Sequence, residues 1–272
     1  MSERLLVFVP MYNCAPQIPR VLEQLADPQV APWVDGVLCI DNGSRDGTVE
    51  AAEAALATVP AASRTLLRND ENYGLGGSHK VAIDFAEREG FETLVVLHGD
   101  DQGSIKDLIP HLENGAHKDV SFLMGARFMP GSRLQGYSAL RTFANRAFNV
   151  IFSMLSGKRL YDLGSGLNLF RVSAFKDGFH RRFADNLTFN YYLILAIAGR
   201  KEPVRFFPLE WREDDQVSNA KLGRMGLQIL SLLARYSRNR QRFFAAEHRE
   251  APRDAYPATV LARWETAGAE TI

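Results

Sequence analysis

The stretch Thr93–Gly103 reads Thr-Leu-Val-Val-Leu-His-Gly-Asp-Asp-Gln-Gly, an apolar run that halts at two adjacent carboxylates and an amide. Valine and leucine in an unbroken run of this length predict a strand buried on both faces. In open α/β sheets ligands collect beyond the carboxyl ends of the strands, so Asp100, Asp101 and Gln102 are expected to project into a crevice. Oxygen donors of this kind suit Mg²⁺ or Mn²⁺, which take one or two protein carboxylates and complete their shell with water and substrate phosphates. Taken alone, the motif fits a solvated loop after a strand equally well.

Two other apolar runs stop in the same way. Leu5–Pro10 leads into Met11-Tyr12-Asn13, and Val37–Ile40 leads into Asp41-Asn42-Gly43-Ser44-Arg45-Asp46. Pro16 and Pro19 introduce a helix through Leu25, Thr48 is placed to cap a helix over Val49–Thr58, and a strand near Thr65–Arg68 precedes a helix through Glu87. This alternation is the rhythm of βαβ units and predicts a parallel sheet. Three strands thus bring Pro10–Asn13, Asp41–Asp46 and Asp100–Gln102 to one sheet edge. A dinucleotide site would need Gly-x-Gly-x-x-Gly directly after the first strand, where Pro-Met-Tyr-Asn-Cys stands instead. Gly74-Leu-Gly-Gly77 reads as a phosphate loop or as a flexible helix start.

Farther along, Ile105–Glu113 reads as a helix and Val120–Met124 as a strand ending at Gly125-Ala126-Arg127. Gly131–Tyr137 is loop-like. Leu140–Leu155 reads as a helix with Phe143, Ala147, Phe148 and Ile151 on one face. Asp162 and Gly164-Ser165-Gly166 precede a strand at Leu167–Arg171, Leu187–Ala198 reads as a core helix, and Pro203–Leu209 is strand-like. The polar stretch Glu210–Lys221 around Trp211 is either an exposed loop or part of a site. Leu222–Phe244 is amphipathic, its leucines giving way to Arg235, Arg238, Arg240 and Arg242; such a helix lies on an anionic membrane surface or packs on its own domain. The expected organisation is one α/β domain over residues 1–221, this basic helix over 222–244, and a loose tail over 245–272 with Pro252 and Pro257.

Composition narrows the class further. The 272 residues carry 32 basic and 32 acidic side chains, so the neutral balance gives no global sign of a nucleic-acid partner. Cys14 and Cys39 lack metal-ligand spacing and read as reduced core thiols. No leader-like N-terminus and no apolar run of ~18 residues are seen, which makes the cytoplasm the expected compartment.

Val9-Pro-Met-Tyr-Asn13, Asp41-Asn-Gly-Ser-Arg-Asp-Gly-Thr48, Asn72-Tyr-Gly-Leu-Gly-Gly77 and His98-Gly-Asp-Asp-Gln102 occur in register with the motifs of family 2 glycosyltransferases. The chain resembles that family from about Leu5 to Leu222, most of all the branch with dolichyl-phosphate mannosyltransferase and bacterial polyprenyl-phosphate glycosyltransferases. The resemblance implies a GT-A fold: a Rossmann-like, mostly parallel central sheet flanked by helices, here with a C-terminal helical extension. It implies that Pro10, Tyr12, Asn13 and Asp41 hold the nucleoside of a sugar nucleotide and that Asn72 and Gly74 close over it. Asp100 and Gln102 match the second acid and the glutamine of the family's metal motif for Mg²⁺ or Mn²⁺. His98 stands where the first acid usually lies, and a neutral imidazole can ligate Mn²⁺. Arg127 and Arg141 match basic residues that face phosphate; Arg212, Ser218 and Lys221 resemble a clamp on the donor diphosphate, with longer spacing; and Asp162 and Ser165 match a segment near the acceptor.

Breaking the bond between an anomeric carbon and a diphosphate leaves negative charge on the leaving group, which a divalent ion and several cations must offset. Asp100 and Arg127 are therefore the expected catalytic centre. The fold implies inversion by direct displacement of a hexose. A polyprenyl phosphate is already an anionic nucleophile and needs no base; a saccharide or lipid-linked glycan acceptor does, with Asp214 or Asp215 as candidates. A catalytically inactive sugar-nucleotide-binding protein is the third reading, and peripheral association with the membrane's inner face would come through the C-terminal helix.

Overall fold

The computed structural model describes residues 3–200, 203–214 and 222–265. The elements run β1 (Leu5–Met11), α1 (Ile18–Glu23), β2 (Gly36–Asp41), α2 (Thr48–Leu56), β3 (Ser63–Asn69), α3 (Gly74–Arg88), β4 (Thr93–Leu97), α4 (Ile109–Glu113) and β5 (Phe122–Ala126). They continue with β6 (Arg133–Gln135), α5 (Ala139–Ser156), β7 (Leu167–Arg171), α6 (Phe189–Gly199), β8 (Val204–Pro208), β9 (Glu210–Arg212), α7 (Leu222–Arg238), α8 (Arg240–Ala245) and β10 (Ala258–Glu265).

The central sheet has the order β10-β3-β2-β1-β4-β7-β5-β8. Strands β3, β2, β1 and β4 run parallel, as the βαβ rhythm predicts, whereas β7 runs antiparallel to both β4 and β5. Period-two alternation divides the core into two apolar layers. Leu6, Phe8, Leu94 and Val96 face α3, α6 and α7; Val7, Val9, Val95 and Leu97 face α1, α2 and α4. Because β1 lies between β2 and β4, the order reverses beside β1, which opens a crevice at the carboxyl ends of β1 and β4.

Four expectations change. Residues 245–272 do not form a loose tail throughout: β10 pairs antiparallel with β3, and Ala262 and Trp264 pack against the core beside that exposed strand edge. The long basic helix is two helices. Asn239 has extended backbone (φ −161°) and its side chain accepts the Arg242 N–H, so it ends α7 and caps α8. Within α7, Ile229, Leu232, Leu233 and Tyr236 bury one face at helical spacing, so this helix packs on its own domain. Finally, Phe143 and Ala147 are exposed on α5, whose core contacts come from Phe148, Ile151, Phe152 and Leu155. Thr48 opens α2 from inside the helix, and Asp46 takes the capping role by accepting its N–H.

Candidate active site

A cavity of about 490 Å³ opens at the reversal of strand order. The end of β1 and the loop after it supply Pro10 to Cys14, the loop after β4 supplies His98, Gly99, Asp100 and Gln102, and Asn42 follows β2. Asn72, Gly74, Leu75 and Ser78 at the start of α3 form another wall; Arg141, Asn186, Leu187 and Glu213 close the far side.

Local hydrogen bonds hold these loops. Asn13, in left-handed backbone (φ 49°), donates its N–H to Ser44 Oγ and accepts the Arg45 N–H on its side chain, both at 2.9 Å. Asn42 accepts the Tyr73 N–H at 2.9 Å and donates to Asn72 Oδ1 at 2.8 Å, tying the β2 end to the α3 start. Gly74 has φ 72°, and a Cβ there would stand 2.6 Å from the Asp185 carbonyl oxygen. Only glycine lets α3 begin so close to that loop.

Asp41 is fully buried and accepts the Ser44 N–H and the Arg68 Nε–H, the latter at 2.9 Å. It braces the loop, and Asn42 rather than Asp41 reaches the cavity wall. Asp100 lines the cavity, and burial pushes its carboxyl up to about 6 while Arg127 opposes the shift. Asp101 does not project into the crevice. Its backbone is left-handed (φ 57°), and its buried carboxylate binds Arg20 Nε at 2.8 Å, Arg212 Nη2 at 2.9 Å and Gln24 Nε2 at 3.2 Å. Arg212 is thereby held to the loop after β4, and it does not line the cavity.

Arg127 and Asp162 also find each other. Asp162 accepts the Arg127 Nε and Nη2 hydrogens at 2.8 Å each, and Trp211 stacks on the guanidinium at 4.9 Å. Neither residue lines the cavity, and the buried Ser165 hydroxyl donates to the Leu167 carbonyl. Ser165 does not line the cavity either. Asp214 is exposed and off the described wall; Asp215, Ser218 and Lys221 lie outside the described residues. The wall residues Gln17, Ser78, Asn186, Leu187 and Glu213 carried no motif of their own; only Glu213, beside Arg212 in the polar stretch around Trp211, had a local signal.

His98, Asp100 and Gln102 offer an imidazole nitrogen, a carboxylate and an amide oxygen on one wall. Burial, with Arg127 nearby, pushes the His98 imidazole down to about 4, so it is neutral at pH 7, and its buried Nε2 has no hydrogen-bond partner among the described residues. A neutral nitrogen without a partner beside a carboxylate fits a divalent cation. Among the described residues no cluster of three His, Cys, Asp or Glu side chains could hold such an ion unaided. An ion held there would complete its shell with substrate phosphates and water.

A four-stranded parallel core, a reversed β7 and a cavity at the β1/β4 switch define a GT-A fold. The chain belongs to glycosyl transferase family 2, whose model matches residues 6–179. It is similar to the dodecaprenyl-phosphate galacturonate synthase of Rhizobium johnstonii, 24% identical over 176 residues that cover 64% of this chain and 50% of that protein. It also resembles the dolichyl-phosphate beta-glucosyltransferase of Dictyostelium discoideum, 22% identical over 221 residues, 77% of this chain and 66% of that one. The chain thus spans half the length of the first relative. Among solved structures, glucosyl-3-phosphoglycerate synthase from Mycobacterium tuberculosis, in complex with UDP, superposes with a TM-score of 0.62 at 16% identity, covering 87% of this chain and 80% of that one.

Proposed function

We propose that this chain is an inverting glycosyltransferase that moves a hexose from a nucleotide-diphosphate sugar to a polyprenyl phosphate at a membrane surface. The observation that carries the reading is the cavity in which the loops after β1, β2 and β4 meet Arg141 on α5. Tyr12, Asn42 and Asn72 would receive the nucleoside, and Arg141 would meet a phosphate. His98, Asp100 and Gln102 would hold Mg²⁺ or Mn²⁺, which offsets charge on the departing diphosphate. A structural neighbour was crystallised with Mn²⁺ and UDP-glucose, which supports a divalent ion.

The wall's carboxylates support a phosphate acceptor. Asp100 belongs with the metal set, and Glu213 is held by Arg141. An acceptor that is already an anion needs neither as a base, which suits a phosphate. The relatives named for dodecaprenyl and dolichyl phosphates point the same way.

Membrane association rests on the surface near Arg141. Leu140, Phe143, Val150 and Met154 are exposed by 76, 72, 56 and 70% along one stripe of α5, and Leu227 is 71% exposed on α7. Helices α5, α7 and α8 contain no acidic residue and carry Arg141, Arg146, Arg235, Arg238, Arg240 and Arg242. Apolar stripes among cations suit an anionic lipid surface. No helix among the described residues is long and apolar enough to cross a membrane.

The test is nucleoside diphosphate release from a panel of sugar nucleotides with Mn²⁺ or Mg²⁺, with and without a short polyprenyl phosphate, in wild type and Asp100→Ala. Release that requires the lipid phosphate and disappears in the variant supports the reading. Donor binding that lipid phosphate never converts to release would sink it.

A further inference from the structure

Arg141 is the only lysine or arginine among the described residues that line the cavity. It does not wait there for an anion. Its Nη1 donates to Glu213 Oε2 at 2.6 Å, and Tyr137 stacks on its guanidinium at 4.4 Å. Glu213 lines the same cavity. The two side chains are 28 and 20% exposed, so water screens the contact only partly.

The position of Glu213 is set by backbone, not by this ion pair. Its N–H donates to the Gln135 carbonyl at 3.0 Å, where the β6–β9 ribbon ends, and a Cβ on Gly136 (φ 71°) would meet the Glu213 carbonyl at 2.4 Å. Asp101 holds the preceding residue, Arg212. A carboxylate is thus fixed on a wall that, in the function proposed above, must accept phosphate. An anion there opposes phosphate by charge and also occupies the cation that phosphate needs.

Resting on that reading of the cavity, we propose that Glu213 is a specificity-determining residue, an internal competitor that phosphate must displace from Arg141. The exchange is physically reasonable because Glu213 holds the guanidinium through one hydrogen bond, whereas a phosphate can engage it through two. A weaker or singly charged anion would not displace the carboxylate, so Glu213 selects for ligands with a concentrated phosphate charge. The phosphate comes from the donor diphosphate or from the acceptor, and the experiment separates the two.

Binding of a nucleoside diphosphate and of farnesyl phosphate is measured by calorimetry in wild type, Glu213→Gln, Arg141→Met and the double variant. Glu213→Gln should lower Kd about twofold to fivefold, the range of a partly exposed ion pair, for the ligand whose phosphate reaches Arg141. The same substitution should have no effect in the Arg141→Met background, because the competition then has no object. Glu213→Ala should act in the same direction, and thermal unfolding of each variant reports folding separately. Unchanged or weaker binding of both ligands by a folded Glu213→Gln overturns the inference, as does tightening that persists without Arg141. Failure of wild type to bind either ligand overturns the reading of the cavity, and this inference with it.

Discussion

The guanidinium of Arg127 lies against the carboxylate of Asp162 in a two-pronged contact, 2.8 Å on each prong, and neither side chain lines the cavity. A cation and an acid expected at donor and acceptor pair with each other, and the Gly164 carbonyl also accepts the Arg127 Nη2 hydrogen.

Asp162→Ala should therefore act on stability before it acts on chemistry. Removing one partner of a buried pair leaves the other charge uncompensated, at a cost of about 3 kcal/mol. Urea denaturation should show that loss, and nucleoside diphosphate affinity of the folded fraction should stay within about threefold of wild type.

Asp101 combines a left-handed backbone with two arginine partners. Asp101→Ala loses the ion pairs and keeps the backbone strain, whereas Asp101→Gly loses the ion pairs and relieves the strain. The glycine variant should be the more stable of the two by about 1 kcal/mol in chemical denaturation. Equal stability would show that the φ at this position carries no penalty.

Gly74→Ala places a methyl 2.6 Å from the Asp185 carbonyl at φ 72°. Either α3 or the Asp185–Leu187 wall must move. Stability should fall by about 2 kcal/mol, and nucleoside diphosphate affinity should fall with it, because both elements line the cavity.

His180 is buried between Phe175 and Phe179, and neither ring nitrogen has a hydrogen-bond partner among the described residues. Burial, reinforced by Arg181 and Lys80, pushes its imidazole down to about 3. The unfolded chain, with an ordinary imidazole near ~6.5, binds more protons than the native state between these values. The stabilisation is complete above pH ~6.5 and is lost as pH falls toward 3, amounting to about 2 kcal/mol by pH 5. In His180→Leu, the drop in unfolding free energy from pH 7 to pH 5 should shrink by about that amount.

Much of the frame was legible along the chain. Thr93–Leu97 and Leu167–Arg171 are strands over those same residues, because short unbroken apolar runs bounded by polar residues have few other ways to bury themselves. The places where β1, β2 and β4 deliver Pro10–Asn13, Asn42 and Asp100–Gln102 also follow from strand ends, since all three strands run parallel. Helix-length estimates failed at Asn239, where a side-chain cap acts over only three residues, and β10 was missed because its partner edge lies far away in the chain.

The sequence by itself determined which residue types reach the sheet's carboxyl edge, because strand periodicity and turn chemistry act over a few residues. Which of those side chains face a ligand was decided only by tertiary structure. Asp101 meets Arg212 across 111 positions, Arg141 meets Glu213 across 72, and Arg127 meets Asp162 across 35. A buried charge must find its opposite wherever packing brings one within reach, and no local pattern encodes that partner.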